Sequence, residues 1–182
     1  MRALAAGREV LDGFCYTGGF SIAALAGGAR RITAIESSHA ALEVAKDNLA
    51  ANPLDRGRIE FRQADVFAEL RRLRDGAAKF DLIVLDPPKF APTAAQVKKA
   101  ARAYKDINLW ALKLLAPGGL LATFSCSGGV SAELFQSIVA GAALDAGADA
   151  KIVERFSAAA DHPVALEFPE GEYLKGLLVL KS

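Results

Sequence analysis

Val10-Leu11-Asp12-Gly13-Phe14-Cys15-Tyr16-Thr17-Gly18-Gly19-Phe20 reads as a buried strand running into a glycine-bearing turn and then into a helix. Val10 and Leu11 supply the apolar strand, and Phe20 to Ala26 has helix-forming character. Gly18 and Gly19 let the backbone turn sharply and come close to a ligand, because a residue without Cβ reaches conformations closed to the others. The next apolar run, Ile32 to Ile35, ends in Glu36. An acid about 20 positions beyond such glycines is where doubly wound α/β folds hold a ribose by its hydroxyls. Two strands and one acid predict a nucleoside pocket.

A dinucleotide would need Gly-x-Gly-x-x-Gly, so that the backbone can reach a pyrophosphate. Phe14 and Tyr16 stand where the tight glycines would be, and Asp12 at the strand end would repel a phosphate while accepting hydrogen bonds from an ammonium. A cationic, phosphate-free nucleoside fits this chemistry better. S-adenosylmethionine is such a molecule, with a ribose for Glu36, an amino acid tail for the glycine turn, and a sulfonium that carries a transferable methyl group.

Further along, Ser38 to Ala51 is predicted as an amphipathic helix with Ala41, Leu42, Ala45 and Leu49 on one face and Ser37 or Ser38 as its cap. Ile59 to Gln63 follows as a third strand. Asp65 beyond it is placed either to meet an adenine amino group or to cap the helix Val66 to Asp75, and one carboxylate can do both. Arg71, Arg72 and Arg74 on that helix read as a solvated face. Phe80 to Leu85, apolar but for Asp81, has the pattern of a central parallel strand covered on both sides. It delivers Asp86-Pro87-Pro88-Lys89-Phe90, where two prolines forbid helix and hold Asp86 and the Pro87 carbonyl toward the crevice.

Thr93 to Leu115 reads as a long helix bearing Lys98, Lys99, Arg102 and Lys105, ended by Pro117-Gly118-Gly119. Those cations are expected to be solvated, with phosphate contact as the second reading. Leu120 to Phe124 is the fifth strand and feeds Ser125-Cys126-Ser127-Gly128-Gly129, which puts a thiol at the sheet's carboxyl edge near Asp86. A helix from Ser131 to Ala146, a strand near Lys151 to Phe156, an irregular loop from Ser157 to Gly171 and a last strand from Tyr173 to Leu180 complete the chain.

The 182 residues, 52% of them hydrophobic, are about one domain. A formal charge of +1 provides no field to draw RNA from a distance, so RNA affinity must be local. Two cysteines do not make a disulfide framework, and no run of about 18 apolar residues suggests a membrane span. Met1 to Gly7 lacks the apolar core of a signal peptide. A cytoplasmic protein without a metal is expected, and the short approach to the first strand reads as the end of something longer.

Asp12, Glu36, Asp65 and Asp86 thus fall at four successive strand ends. With the alternating order of strands and helices, they predict a Rossmann-like class I methyltransferase fold. That fold has a mostly parallel seven-stranded α/β sheet, an antiparallel last strand and helices on both faces. The expected cofactor set is Asp12, Phe14, Tyr16, Thr17, Gly18, Gly19, Glu36, Ser37, Asp65, Val66, Asp86 and Pro87. Across nearly the whole chain the sequence resembles the RlmI-type cytosine-5 methyltransferases of large-subunit ribosomal RNA. The matching residues are Phe14 to Phe20, Asp86 to Phe90, Tyr104-Lys105-Asp106-Ile107-Asn108, Phe124 to Gly128 and Ala160-Asp161-His162-Pro163.

The resemblance implies a 23S-type ribosomal RNA partner and catalysis by Cys126 with Asp86. Carbon 5 of a pyrimidine is a poor nucleophile until a thiolate adds at carbon 6 and makes an enamine. Taken from the residues alone, Cys126 is equally a buried, inert cysteine. Cys15 reads as a packing residue of the turn, His162 as lining the substrate loop or capping it, and His39 has no assigned role. Members of the family carry an amino-terminal PUA-type RNA-binding module, which these residues lack. Two other readings stand beside this one. A nitrogen-directed nucleic-acid methyltransferase would use Asp86-Pro87-Pro88 without a thiol, and a cofactor-binding interaction module would bind without turnover.

Overall fold

Apolar residues in the inner strands of this chain occur in runs rather than in strict alternation, so those strands must be covered on both faces. The computed structural model describes every residue except Pro92, Asp161, Pro169 and Glu170, with Ala94 described by its backbone alone. Strand β1 (Glu9–Gly13) leads to helix α1 (Gly19–Ala26), β2 (Arg31–Glu36) to α2 (His39–Ala50), and β3 (Ile59–Gln63) to α3 (Val66–Asp75). Then come β4 (Phe80–Leu85), α4 (Val97–Leu114), β5 (Leu115–Ser125), α5 (Ala132–Ala146), β6 (Ala150–Phe156) and β7 (Lys175–Lys181).

The seven strands lie in the order β3-β2-β1-β4-β5-β7-β6. Neighbours from β3 to β5 run parallel, and β7 is antiparallel to both β5 and β6. The expected class I methyltransferase architecture is therefore present, with its antiparallel last strand inserted between β5 and β6. Odd and even residues of the strands feed opposite layers. Leu11, Ile83, Leu85, Leu121, Leu177 and Val179 pack with α3, α4 and α5. Val10, Leu82, Val84, Leu120, Ala122 and Leu178 pack with α1 and α2. Leu82 to Leu85 are at most 1% exposed, and fully burying such a side chain is worth about 1.5–3 kcal/mol. Strand β4 is thus a firmly buried element that carries a site at its end.

Several boundaries differ from the sequence expectation, each for a local reason. Ser38, not Ser37, caps α2, its Oγ accepting the Ala41 N–H at 3.3 Å. Thr93 lies outside α4: its N–H and hydroxyl meet Gln96 Oε1 at the mouth of a 3₁₀ turn, Ala94–Gln96. Pro117-Gly118-Gly119 does not end the helix. The helix stops at Leu114, Leu115 already pairs with Phe80, and the intervening residues bulge out before Leu120 pairs with Leu82. Gly118 takes φ +74° in that bulge, the left-handed conformation open to glycine. The last strand starts at Lys175 rather than Tyr173. The arginines of α3 are more than a solvated face, since Arg71 bonds Asp106 at 2.5 Å and both Arg71 and Arg74 lie over the Trp110 ring. Among the described residues no helix is long and apolar enough to cross a membrane.

Candidate active site

The strand order reverses between β1 and β4, and in an open α/β sheet the crevice at such a reversal is where ligands bind. Two segments meet there. The Asp86 N–H reaches the Gly13 carbonyl at 3.4 Å, so the turn after β1 and the Asp-Pro-Pro segment after β4 are in direct contact.

The turn after β1 is wound tightly by its own backbone. Phe14 (φ 65°) and Tyr16 (φ 48°) adopt left-handed conformations that side-chain-bearing residues rarely accept, and Gly18 (φ 82°) follows. Strain of this kind persists only where surrounding contacts enforce it. Here the Cys15 N–H bonds the Ile35 carbonyl at 3.0 Å, and the Tyr16 N–H donates to Glu36 Oε2 at 3.2 Å. Glu36 Oε1 in turn accepts from the Ser38 N–H at 2.8 Å and from the Ser37 hydroxyl at 3.2 Å. Glu36 therefore braces the turn as well as standing at the β2 end. Gly18 is the N-cap of α1 and offers no side-chain acceptor, so the first amides of that helix are not capped from within. Space is open where Gly19 lacks a Cβ.

Asp12 lies deeper than the sequence suggests. It is 1% exposed, its Oδ2 accepts the Ser21 hydroxyl at 2.6 Å, and its Oδ1 has no hydrogen-bond partner among the described residues. Burial first, and then the nearby Asp86 charge, push its carboxyl up to about 7, against the Ser21 bond that lowers it. Between an unfolded value of 3.8 and a folded value of about 7, the folded state holds a proton that the unfolded state has lost, so stability falls as pH rises through that window. We expect the thermal midpoint to drop by roughly 5–10 °C between pH 5 and pH 8. Asp12→Asn should remove most of that slope. Melts of both proteins across the range check it, and parallel slopes would refute the assignment.

Asp65 performs the capping role, its Oδ1 accepting the Ala68 N–H at 2.9 Å at the start of α3. Val66, the next residue, is buried and belongs to the core. The orphaned Asp12 oxygen, the uncapped α1 amides, the open space at Gly19 and the carboxylates of Glu36 and Asp65 make a donor and acceptor set that fits S-adenosylmethionine. Thr17 and Tyr16 also border a shallow cleft of about 300 Å³ against α2. Among the described residues no cluster of three or more His, Cys, Asp or Glu could hold a metal ion.

The thiol site lies one strand over. Cys126 follows β5 and its Sγ is 3.9 Å from the Pro87 carbonyl. Burial is the main influence that raises both the Asp86 carboxyl and the Cys126 thiol, and the Asp86 charge raises the thiol further. The charges of Lys89 and Lys175 oppose this. Cys15 is a different kind of thiol: 6% exposed, raised by burial and then by Asp12 and Glu36, and packed in the core.

Sequence reasoning did not single out the residues that hold the two loops together. Ser127 Oγ accepts the Ala91 N–H at 3.1 Å and lies 3.0 Å from the Tyr104 hydroxyl, which ties the segment after β4 to the thiol turn and to α4. Lys175 Nζ donates to the Ser127 and Val130 carbonyls at 2.8 and 2.5 Å. Phe14, Phe67, Phe90, Tyr104 and Phe135 form a continuous series of ring contacts, 4.8 to 6.2 Å between centroids, beneath both loops. Ser127 and Lys175 have no local signature: Ser127 gains its side-chain partners from the segment after β4 and from α4, and Lys175 gains its own from the pairing of β7 with β5. His39 is exposed at the first position of α2. The His162 N–H bonds the Ala159 carbonyl at 2.9 Å, whereas Asp161 of the same motif is outside the described residues.

With this geometry in view, the chain can be compared with known proteins. It is 57% identical over 94% of its length to "Ribosomal RNA large subunit methyltransferase I" of Tolumonas auensis, covering 43% of that protein. It is 52% identical over 96% of its length to the protein of the same name from Klebsiella pneumoniae, covering 44% of it. The chain thus spans less than half the length of the curated relatives it matches. Among solved structures, SMU.776, a candidate methyltransferase crystallised with SAH, superposes with a TM-score of 0.85 at 24% identity, over 97% of this chain and 46% of that one. Such identity speaks for the fold alone. Residues 1–178 match the family described as S-adenosylmethionine-dependent methyltransferases, and the chain belongs to that family.

Proposed function

We propose that this chain transfers a methyl group to carbon 5 of a cytosine in large-subunit ribosomal RNA, with Cys126 as a covalent nucleophile. The observation that carries the reading is the placement of the Cys126 thiol 3.9 Å from the Pro87 carbonyl, beside Asp86, at the ends of two adjacent parallel strands. The names of the ribosomal RNA relatives support the substrate class. Asp12, Phe14, Tyr16, Thr17, Gly18, Gly19, Glu36, Ser37, Asp65, Val66, Asp86 and Pro87 would hold S-adenosylmethionine, which supplies an electrophilic methyl group.

The protein's own residues then divide the work. Asp86 and the Pro87 carbonyl accept hydrogen bonds from the exocyclic amine of cytosine and from N3 once it carries a proton, which orients the ring and stabilises the N3-protonated form, whose positive charge makes carbon 6 electrophilic. The Cys126 thiolate adds to carbon 6 and the electron pair moves to carbon 5, which becomes nucleophilic. After methylation a base takes the carbon 5 proton, the ring double bond re-forms and the Cys126 sulfur leaves with its electron pair. A base bound to Asp86 also partly neutralises the charge that opposes thiolate formation, so substrate binding and nucleophile activation favour one another.

A nitrogen-directed reaction is the second reading, favoured by the raised Cys126 thiol and the paired acceptors at Asp86 and Pro87. Unmodified large-subunit ribosomal RNA incubated with methyl-labelled S-adenosylmethionine, digested and separated as nucleosides, decides between them. The expected product is 5-methylcytidine. Label in an N-methylated nucleoside would establish the second reading. Cofactor binding without label in any nucleoside would mark an interaction module.

A further inference from the structure

Lys175 occupies an unusual place for a lysine. It is the first residue of β7, paired across the antiparallel ladder with Ser125, the residue before the thiol. Its side chain folds back over the end of the sheet instead of extending into water. Two of its three N–H groups go to the Ser127 and Val130 carbonyls, at 2.8 and 2.5 Å. These carbonyls bracket the Gly128-Gly129 turn, so the ammonium closes the loop that begins at Cys126. Val130 is fully buried and its N–H bonds the Ser127 carbonyl at 3.0 Å, which gives the loop a fixed floor.

The titratable groups around the thiol come from three elements. Asp86 and Lys89 lie on the segment after β4, Tyr104 on α4, and Lys175 on β7. Asp86 disfavours a thiolate, and the hydroxyl of Tyr104 is committed to Ser127. Lys89 is exposed on a segment whose backbone is set by two prolines, whereas Lys175 is half-buried and anchored. Of the two cations, Lys175 is the one held by hydrogen bonds to the turn that begins at Cys126.

We propose that Lys175 is a positioning residue for Cys126, its ammonium both closing the Cys126–Val130 turn and holding a positive charge against the sulfur as it ionises. The assignment rests on the reading of Cys126 as the nucleophile. A glutamine at position 175 can still donate to a carbonyl but carries no charge, and an arginine keeps both donor and charge, so the pair separates clamping from electrostatics.

The test is the rate of Cys126 alkylation by iodoacetamide from pH 6 to pH 10 in the wild type, Lys175→Gln and Lys175→Arg, read by peptide mass spectrometry so that Cys15 is counted apart. Lys175→Gln should move the midpoint up by about one pH unit, with alkylation about tenfold slower at pH 8. Lys175→Arg should keep the wild-type midpoint. Equal midpoints in the wild type and Lys175→Gln would overturn the proposal and leave a plain structural clamp. If the glutamine variant does not fold by circular dichroism, the arginine variant decides, and a midpoint raised by a full unit there overturns it. Alkylation needs no methyl transfer. Activity surviving in Cys126→Ala would therefore defeat the nucleophile reading, whereas an unmoved alkylation midpoint would defeat only the role of Lys175.

Discussion

Cys126→Ala is expected to lower carbon 5 methylation by on the order of 10³-fold or more, because without a sulfur at carbon 6 no enamine forms. The loss should fall on kcat, with cofactor affinity unchanged within about twofold, since Cys126 lies on the segment after β5, away from the β1 turn. The thiol is only partly buried and its one hydrogen-bond contact among the described residues is a long one, 3.9 Å to the Pro87 carbonyl, so alanine leaves little behind that needs a partner. The fold should therefore survive, and an unchanged circular dichroism spectrum beside a dead enzyme separates chemistry from structure. Quantified 5-methylcytidine in digested RNA measures the effect. Undiminished methylation would make Cys126 a packing residue.

Asp86→Asn should produce the second largest effect, a loss on the order of 10²–10³-fold in kcat/KM. Asparagine is the same size but replaces an acceptor by an N–H₂ group that faces the cytosine amine donor to donor. Asp86 also has a second influence, on the sulfur: its charge is the largest influence after burial that raises the Cys126 thiol. Removing the charge should lower the midpoint of thiol alkylation while methyl transfer collapses. A merely structural defect would not move those two readouts in opposite directions. If alkylation slows along with methylation in Asp86→Asn, the charge is not acting on the sulfur and the proposed coupling between base binding and thiolate formation fails.

Parts of this site were legible because they obey local rules. Gly18 and Gly19 mark a turn, two consecutive prolines mark a rigid exit from β4, and Asp65 followed by Val66 to Asp75 is a cap followed by its helix, whose range the structure reproduces. The run Leu82 to Leu85 within Phe80–Leu85 identified the central strand because only a strand covered twice can be apolar at consecutive positions. Other positions misled for equally local reasons. Pro117-Gly118-Gly119 is a good stop signal, but the pairing of Leu115 with Phe80 starts the strand earlier and expels those residues as a bulge. Asp12 lies deeper than a strand-end acid suggests, because Ser21 from α1 holds one of its oxygens in the interior.

What the sequence determined by itself was the order of elements, the turn between β1 and α1, and the four acids at strand ends, since each depends on neighbours a few positions away. What only the tertiary structure decided was which distant groups meet. Strand β7 slots between β5 and β6 and brings Lys175 to the thiol turn, about 50 residues away along the chain. The contact between Ser127 and Ala91 closes the two loops over one crevice. Such pairings are set by sheet order and by the need to satisfy buried donors and acceptors, and neither is written in any stretch short enough to be read alone.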